Sequence, residues 1–277
     1  MSKNVIDLAP RTFIFVALPC EAKPLIQAWQ LKKPAGKQTF AMHRNADTAV
    51  VVSGIGKIAM AGAVAYTMAQ FRDVHQPILL NLGVAGHRHQ SVGNCLLADK
   101  IIDAESGRRF YPQLPFKTTC PTSALETSVK ANTDYSTDCL HDMEASAFYE
   151  MAVKFGSSEL IHCFKVVSDN AHSPVENIDG QAVAHWIEAG LANLEQFLTE
   201  LLKLRQIPPA LNSRACEELL NRFHFSASNA TKLQTLLSRW LLLKPDAPIE
   251  LDFFDGKNGK ALIAWMEREL DNTQFYL

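Results

Sequence analysis

Apolar runs of strand length recur through the first 205 residues and alternate with helix-like stretches. Thr12–Leu18 (TFIFVAL) is β-branched and aromatic and ends at Pro19-Cys20, after which Glu21–Trp29 reads as a helix. Thr48–Ser53 (TAVVVS) passes through Gly54-Ile55-Gly56 into a helix of small residues, Lys57–Phe71. Ile78–Leu82 leads into Gly83-Val84-Ala85-Gly86, and Cys95–Asp103 is a further strand. Met143–Phe155 has helical spacing, Ile161–Ser168 (IHCFKVVS) is a strand, and Asp179–Arg205 is a long helix. Strands apolar on both faces belong to a sheet covered on both sides. The expectation is therefore an α/β fold, a mixed and mostly parallel sheet flanked by helices. In such sheets ligands sit beyond the carboxyl ends of the strands. Four polar motifs fall there: Glu21, Ser53–Lys57, Gly83–Gly86 and Ser168-Asp169.

The pattern breaks at Gln206-Ile207-Pro208-Pro209, a linker by composition. This divides the chain into an α/β domain over residues 1–205 and a helical C-terminal extension over 206–277. In the extension, Ser213–Phe223, Asn229–Leu243 and Gly259–Leu270 read as amphipathic helices, with Pro245 and Pro248 between the last two. A formal net charge of −2 over 277 residues leaves no basic footprint for nucleic acid or a membrane surface. Met1–Arg11 lacks a basic region followed by an apolar core, and no apolar run reaches membrane-spanning length. Six cysteines are scattered with no CxxC pair and no histidine at zinc-finger spacing, so neither a disulfide framework nor a structural zinc site is expected. The natural compartment is the cytoplasm.

Each motif carries two readings. Ser53-Gly54-Ile55-Gly56-Lys57 joins a strand to a helix, where backbone N–H groups favour an anion or an oriented water. Taken alone it reads first as a tight structural turn, and Ile58 stands where a P-loop has a magnesium-binding hydroxyl. His87 and His89 invite a metal reading, but no third ligand is near in sequence. Glu144, opening a helix, is either a functional acid or a favourable first-turn charge. Asp169 ends a buried strand, where desolvation raises a carboxyl pKa, or it simply caps a turn. Glu21 also lies in a first helical turn.

Taken in order, the pieces resemble the purine nucleoside phosphorylase/nucleosidase superfamily. The resemblance is closest to the 5′-methylthioadenosine/S-adenosylhomocysteine nucleosidases and spans about residues 12–204. It rests on Val16–Glu21, Ser53–Lys57, Asn81–Gly86, Asp142-Met143-Glu144-Ala145 and Val166–Asp169. The resemblance implies hydrolysis of the N-glycosidic bond of a purine nucleoside without a cofactor or metal. Asp169 would protonate the purine, and Glu21 would activate the attacking water. Glu144 would hold the ribose hydroxyls, with Met143 packed under the sugar. Ser168, Ser53, Gly54, Gly83 and Val84 would line the site. Asn81 and Val84 stand where related phosphorylases place phosphate-binding residues, which favours water as the nucleophile over phosphate. An Asp at position 169 favours a 6-aminopurine such as adenine. Between Asp103 and Asp142 the chain is shorter than the nucleosidases and lacks their base-stacking Ser-Gly-Asp-x-Phe stretch. Arg109-Phe110-Tyr111-Pro112 offers Phe110 as a stacking aromatic from another direction, the alternative being that Phe110 and Tyr111 simply pack on the sheet. The partners implied are a small-molecule purine nucleoside and a second copy of the chain in a homodimer, with no nucleic acid or membrane. A phosphate-dependent phosphorylase and a degenerate nucleoside-binding protein are the other readings.

Overall fold

In a computed structural model, residues 9–118, 120–174, 179–205, 212–226, 229–230, 232–233, 235–237, 240, 254 and 258–271 are described. The chain divides into two compact units, residues 1–206 and 207–277.

In the first unit β1 (Thr12–Val16) runs parallel between β3 (Thr48–Val52) and β4 (Ile78–His87). An edge strand, β2 (Ala41–Arg44), lies antiparallel on β3. On its other side β4 pairs parallel with β9 (Ile161–Asp169), which is antiparallel to β5 (Cys95–Asp103). From β5 the sheet continues to β6 (Arg109–Phe110, antiparallel) and β7 (Thr122–Thr127, parallel). Next to β7 lies β8 (Leu140–Asp142), parallel to it, which returns antiparallel to the end of β4. Strands β4, β9, β5, β7 and β8 therefore pair in a closed cycle. Five of these nine pairings are parallel, so the sheet is mixed with a parallel majority.

Side chains alternate across a strand, and the two faces of this sheet feed two cores. Phe13, Phe15, Val51, Leu79, Cys163 and Val167 meet Met60, Ala63 and Val64 of α2 (Lys57–Gln70) and Phe148 of α3 (Ala145–Ala152). Ile14, Val16, Leu80, Leu82, Phe164 and Val166 meet Leu25 of α1 (Pro19–Ala28) and Val183, Ile187, Leu194 and Leu201 of α4 (Gly180–Arg205). Both faces of the central strands are apolar because both are covered.

Three departures from the sequence pattern matter for the site. The strand expected to end at Leu82 continues to His87, because Gly83 to Gly86 keep pairing with β9. The register slips between Ala85 and Gly86, a bulge of the kind that re-aims side chains beside functional sites. The helix expected from Met143 to Phe155 is shorter: Asp142 ends β8, Glu144 is the helix N-cap and α3 stops at Ala152. Strands β2, β6, β7 and β8 carry no clear apolar signal (AMHR, RF, TSALET, LHD) and are formed by pairing with neighbours.

The second unit has α5 (Asn212–Arg222) and α6 (Gly259–Asp271), and the described residues within 229–240 are helical too. Its core is Cys216, Leu219, Leu233, Leu236, Leu237, Trp240, Leu262, Ile263, Met266 and Leu270. Trp240 and Trp265 pack at 5.6 Å, and Phe254 meets Trp265 at 5.9 Å. The proposed linker 206–209, the prolines at 245 and 248 and residues 241–243 lie outside the described residues.

Candidate active site

Glu21 sits in the first turn of α1, directly after β1, and its carboxylate is bound by main chain. Oε2 accepts from the N–H groups of Ala17 (2.9 Å) and Leu18 (2.8 Å), and Oε1 accepts from Val84 N–H on β4 (3.0 Å). The side chain is buried, and desolvation pushes its pKa above the usual carboxylate range against the lowering effect of those three donors and of Lys165. Gly83 is the close approach that makes this possible. A Cβ there would stand 3.0 Å from Glu21 Oε1 and 3.5 Å from Lys165 Nζ.

Lys165 is the centre of the cluster. It projects from β9 with 1% side-chain exposure, and its ammonium meets Asp142 Oδ2 at 2.8 Å. Burial disfavours its charge, but the carboxylates of Asp142 and Glu144 overcome this and raise its pKa. Asp142 is fully engaged: Oδ1 accepts from Thr127 Oγ1 (2.6 Å), and Oδ2 also accepts from Ala145 N–H at the start of α3 (2.9 Å). Glu144, two residues on, accepts a 2.7 Å bond at Oε1 from Gly56 N–H. Gly56 holds φ +96°, a conformation few other residues adopt, and this aims its N–H at Glu144. Burial first, and Asp142 second, push the Glu144 pKa up to about 7. Three buried carboxyl groups share one ammonium, so the cluster keeps a proton on a carboxyl near neutral pH.

The Ser53–Lys57 turn is built into this frame at both ends. Ser53 Oγ donates to Val16 O (3.1 Å) and Gly54 O (2.7 Å), so it ties the turn to β1. Lys57 Nζ pairs with Asp103 Oδ2 (2.7 Å) and Glu105 Oε2 (2.5 Å), and Ser146 Oγ of α3 donates to the same Asp103 oxygen (2.8 Å).

Asp169 ends β9 against the bulged end of β4. A Cβ at Gly86 would lie 2.5 Å from Asp169 Oδ2, so only glycine leaves room for the carboxyl group. Ser168 Oγ donates to Oδ1, and the hydroxyl of Tyr135, from the loop between β7 and β8, donates to Oδ2 at 2.7 Å. Gly83 and Gly86, which flank Glu21 and Asp169, are separated by ~10 Å of strand.

The structure thus brings Glu21, Gly83, Val84 and Glu144 around Lys165 and Asp142, with Gly54 beside the Gly56 donor. Ser168 meets Asp169 at the other end of the β4 segment. Met143 is half-buried just before α3. Phe110 is brought somewhere else: half-buried, its ring packs on Tyr149 of α3 at 5.6 Å and under the Arg108 guanidinium, against the core between sheet and helices. His87 uses Nδ1 to accept from the N–H groups of His89 and Gln90, a loop-forming role. Among the described residues no group of three His, Cys, Asp or Glu side chains could hold a metal ion.

The structure adds Lys165 and Tyr135 to the site and gives Asp142, the first residue of the Asp142–Ala145 motif, a role as partner to Lys165. For Lys165 the signal existed: a lone charge inside an apolar strand needs buried counter-charges. Asp142 stands two residues before an acid of interest. Tyr135 sits in a polar run (NTDYSTD) with no periodicity, and only its isolation as an aromatic marked it.

No protein-family model and no curated protein matches the chain by sequence. Solved structures do match it by fold. The 5′-methylthioadenosine/S-adenosylhomocysteine nucleosidase of Helicobacter pylori superposes with a TM-score of 0.53 at 14% identity, covering 69% of this chain and 99% of that one. Futalosine hydrolase of the same organism gives 0.53 at 14% identity, covering 69% and 98%. The corresponding nucleosidase of Colwellia psychrerythraea, in complex with adenine, gives 0.52 at 18% identity, covering 69% and 94%. The chain has the nucleoside phosphorylase-like fold of these nucleosidases.

Proposed function

We propose that the protein hydrolyses the N-glycosidic bond of a purine nucleoside, with adenine as the preferred base. Asp169 gives its proton to the purine N7 as the C1′–N9 bond breaks and its electron pair leaves with the base. Water adds to C1′ on the opposite side and passes its proton to Glu21. Glu144 accepts hydrogen bonds from the ribose hydroxyls, and Met143 packs under the sugar. One carboxyl acid and one carboxylate base placed apart follow the logic of inverting glycoside hydrolysis.

The observation that carries the choice of water over phosphate is the placement of Glu21. Its carboxylate already occupies the N–H groups of Ala17, Leu18 and Val84, the donors an oxyanion would use. A second anion there would meet a buried negative neighbour. Asn81, at the phosphate-binding position of the phosphorylases, donates instead to Phe15 O (3.2 Å). The reading is tested by chromatography of free base after incubation with adenosine, 5′-methylthioadenosine, inosine and guanosine, with and without phosphate. Base release that does not depend on phosphate is expected. Release only with phosphate would make the protein a phosphorylase, and no release would leave a binding role.

In this reading the protein works as a homodimer. Ile55 and Ile58, 58% and 92% exposed beside the Gly54–Gly56 turn, supply apolar surface for a second copy. A monomeric mass in solution would contradict this.

A further inference from the structure

The proposed reaction uses Asp169 but not the phenol bonded to it. Tyr135 is buried, and the loop that carries it is fixed on both sides. Asn132 Oδ1 accepts from the N–H groups of Asp134 (3.0 Å) and Tyr135 (3.3 Å). Asn132 Nδ2 meets His141 Nδ1 at 3.2 Å, Thr137 Oγ1 meets His141 Nε2 at 2.9 Å, and Arg88 donates to Ser136 O at 3.1 Å. Tyr135 itself holds φ +47°, a left-handed conformation costly for a residue with a side chain. The loop bonds offset that cost and deliver the hydroxyl to Asp169 Oδ2.

Four elements face the Asp169 carboxyl group. The loop contributes Tyr135, β9 contributes Ser168, β4 contributes the bare backbone of Gly86, and β8 contributes His141. His141 is buried, and desolvation lowers its pKa despite the nearby carboxylates of Glu126, Asp134, Asp142 and Asp169. The two hydroxyls are thus the donors bonded to Asp169, and each carboxyl oxygen keeps a lone pair for another partner.

We propose that Tyr135 is a positioning residue for Asp169, whose phenol fixes the rotation of the carboxyl group and stabilises its ionised form. The inference rests on the reading of Asp169 as the acid. Once the proton has moved to the base, Asp169 carries a negative charge that the phenol supports more strongly than it supports the neutral acid. A contact that strengthens as charge develops accelerates the step. A donor to a carboxylate favours the charged form over the neutral acid, so removing the phenol favours the acid.

The test is Tyr135→Phe, which keeps the ring and removes one oxygen. The Asp169 carboxyl titration, followed by carbon-13 NMR, is expected to move up by about one pH unit, a tenfold change in proton affinity. With 5′-methylthioadenosine as substrate, kcat should fall about tenfold with KM little changed, and the alkaline side of the rate profile should move up with the carboxyl. A fluorotyrosine at position 135, a stronger donor in the same shape, should move both the other way and serves if Tyr135→Phe does not fold. An unmoved Asp169 titration in both variants overturns the proposal. A moved titration in a protein that releases no base keeps the Tyr135–Asp169 coupling and overturns the nucleosidase reading instead.

Discussion

The two acids assigned to the reaction are held in opposite ways. Glu21 is gripped by three backbone N–H groups, two of them within four residues in sequence. Asp169 is gripped by two hydroxyls, one from the preceding residue and one from a loop 34 residues away. An N–H can only donate, so the Glu21 site favours two acceptor oxygens, with one lone-pair position left open to take a proton. A hydroxyl can rotate and either donate or accept, so the Asp169 site tolerates a carboxylate, a neutral acid or an amide. A group that must change protonation state during a reaction is better placed among hydroxyls. A group that stays a proton acceptor until water attacks is better placed among amides.

The difference can be broken most forcefully at the acids themselves. Asp169→Asn should fold normally and lose about 10²–10⁴ in kcat, the usual worth of a positioned acid, measured by steady-state base release. An active Asp169→Asn enzyme would remove Asp169 from the chemistry. Lys165→Met should be the next largest effect, about 3–5 kcal/mol of stability by urea titration, because it strands Asp142 in the interior. An unchanged midpoint would mean that the cluster is not the closed ionic unit described above.

Glu21→Gln sharpens the comparison directly. Its amide NH2 must face at least one backbone N–H, so it should lose about 1–3 kcal/mol of stability, while Asp169→Asn loses less. Equal losses in thermal melts would show that the two sites are not held differently. A slightly smaller effect attaches to Glu144. Its pKa is raised to about 7, so the folded state binds more protons than the unfolded one from the ordinary value of 4.5 upward. Stability should therefore fall as pH rises from 4.5 to about 7 and level off above that. Glu144→Gln should flatten this slope, a difference on the order of 1–3 kcal/mol at pH 8. A wild-type slope of the opposite sign would contradict the shared proton. Ser168→Ala should have the smallest effect, about a fivefold loss in kcat through one lost hydrogen bond to Asp169.

How far the sequence reveals the molecule follows the same division. Central strands such as β1, β3 and β9 are buried on both faces, so their own residues announce them. Glu21 is legible for the same reason, since most of its partners lie within its own turn. Strands β7 and β8 exist only through pairing, and the loop between them places Tyr135 through contacts with Arg88, Asn132 and His141 that no local pattern encodes. Phe110 shows the converse case: an aromatic near a compressed segment reads as a base-stacking ring or as sheet packing, and only the fold shows its contact with Tyr149 of α3. Lys165 lies between these cases: its type and place in the strand signalled buried partners, and their identity needed the fold.

The central claim is that water, activated at Glu21, is the nucleophile that displaces a protonated purine. Turnover of 5′-methylthioadenosine in oxygen-18 water, in the presence of phosphate, with mass spectrometry of the sugar, tests it most directly. Free adenine and a sugar that carries the label at C1′ are expected. Unlabelled sugar phosphate in its place would contradict the claim.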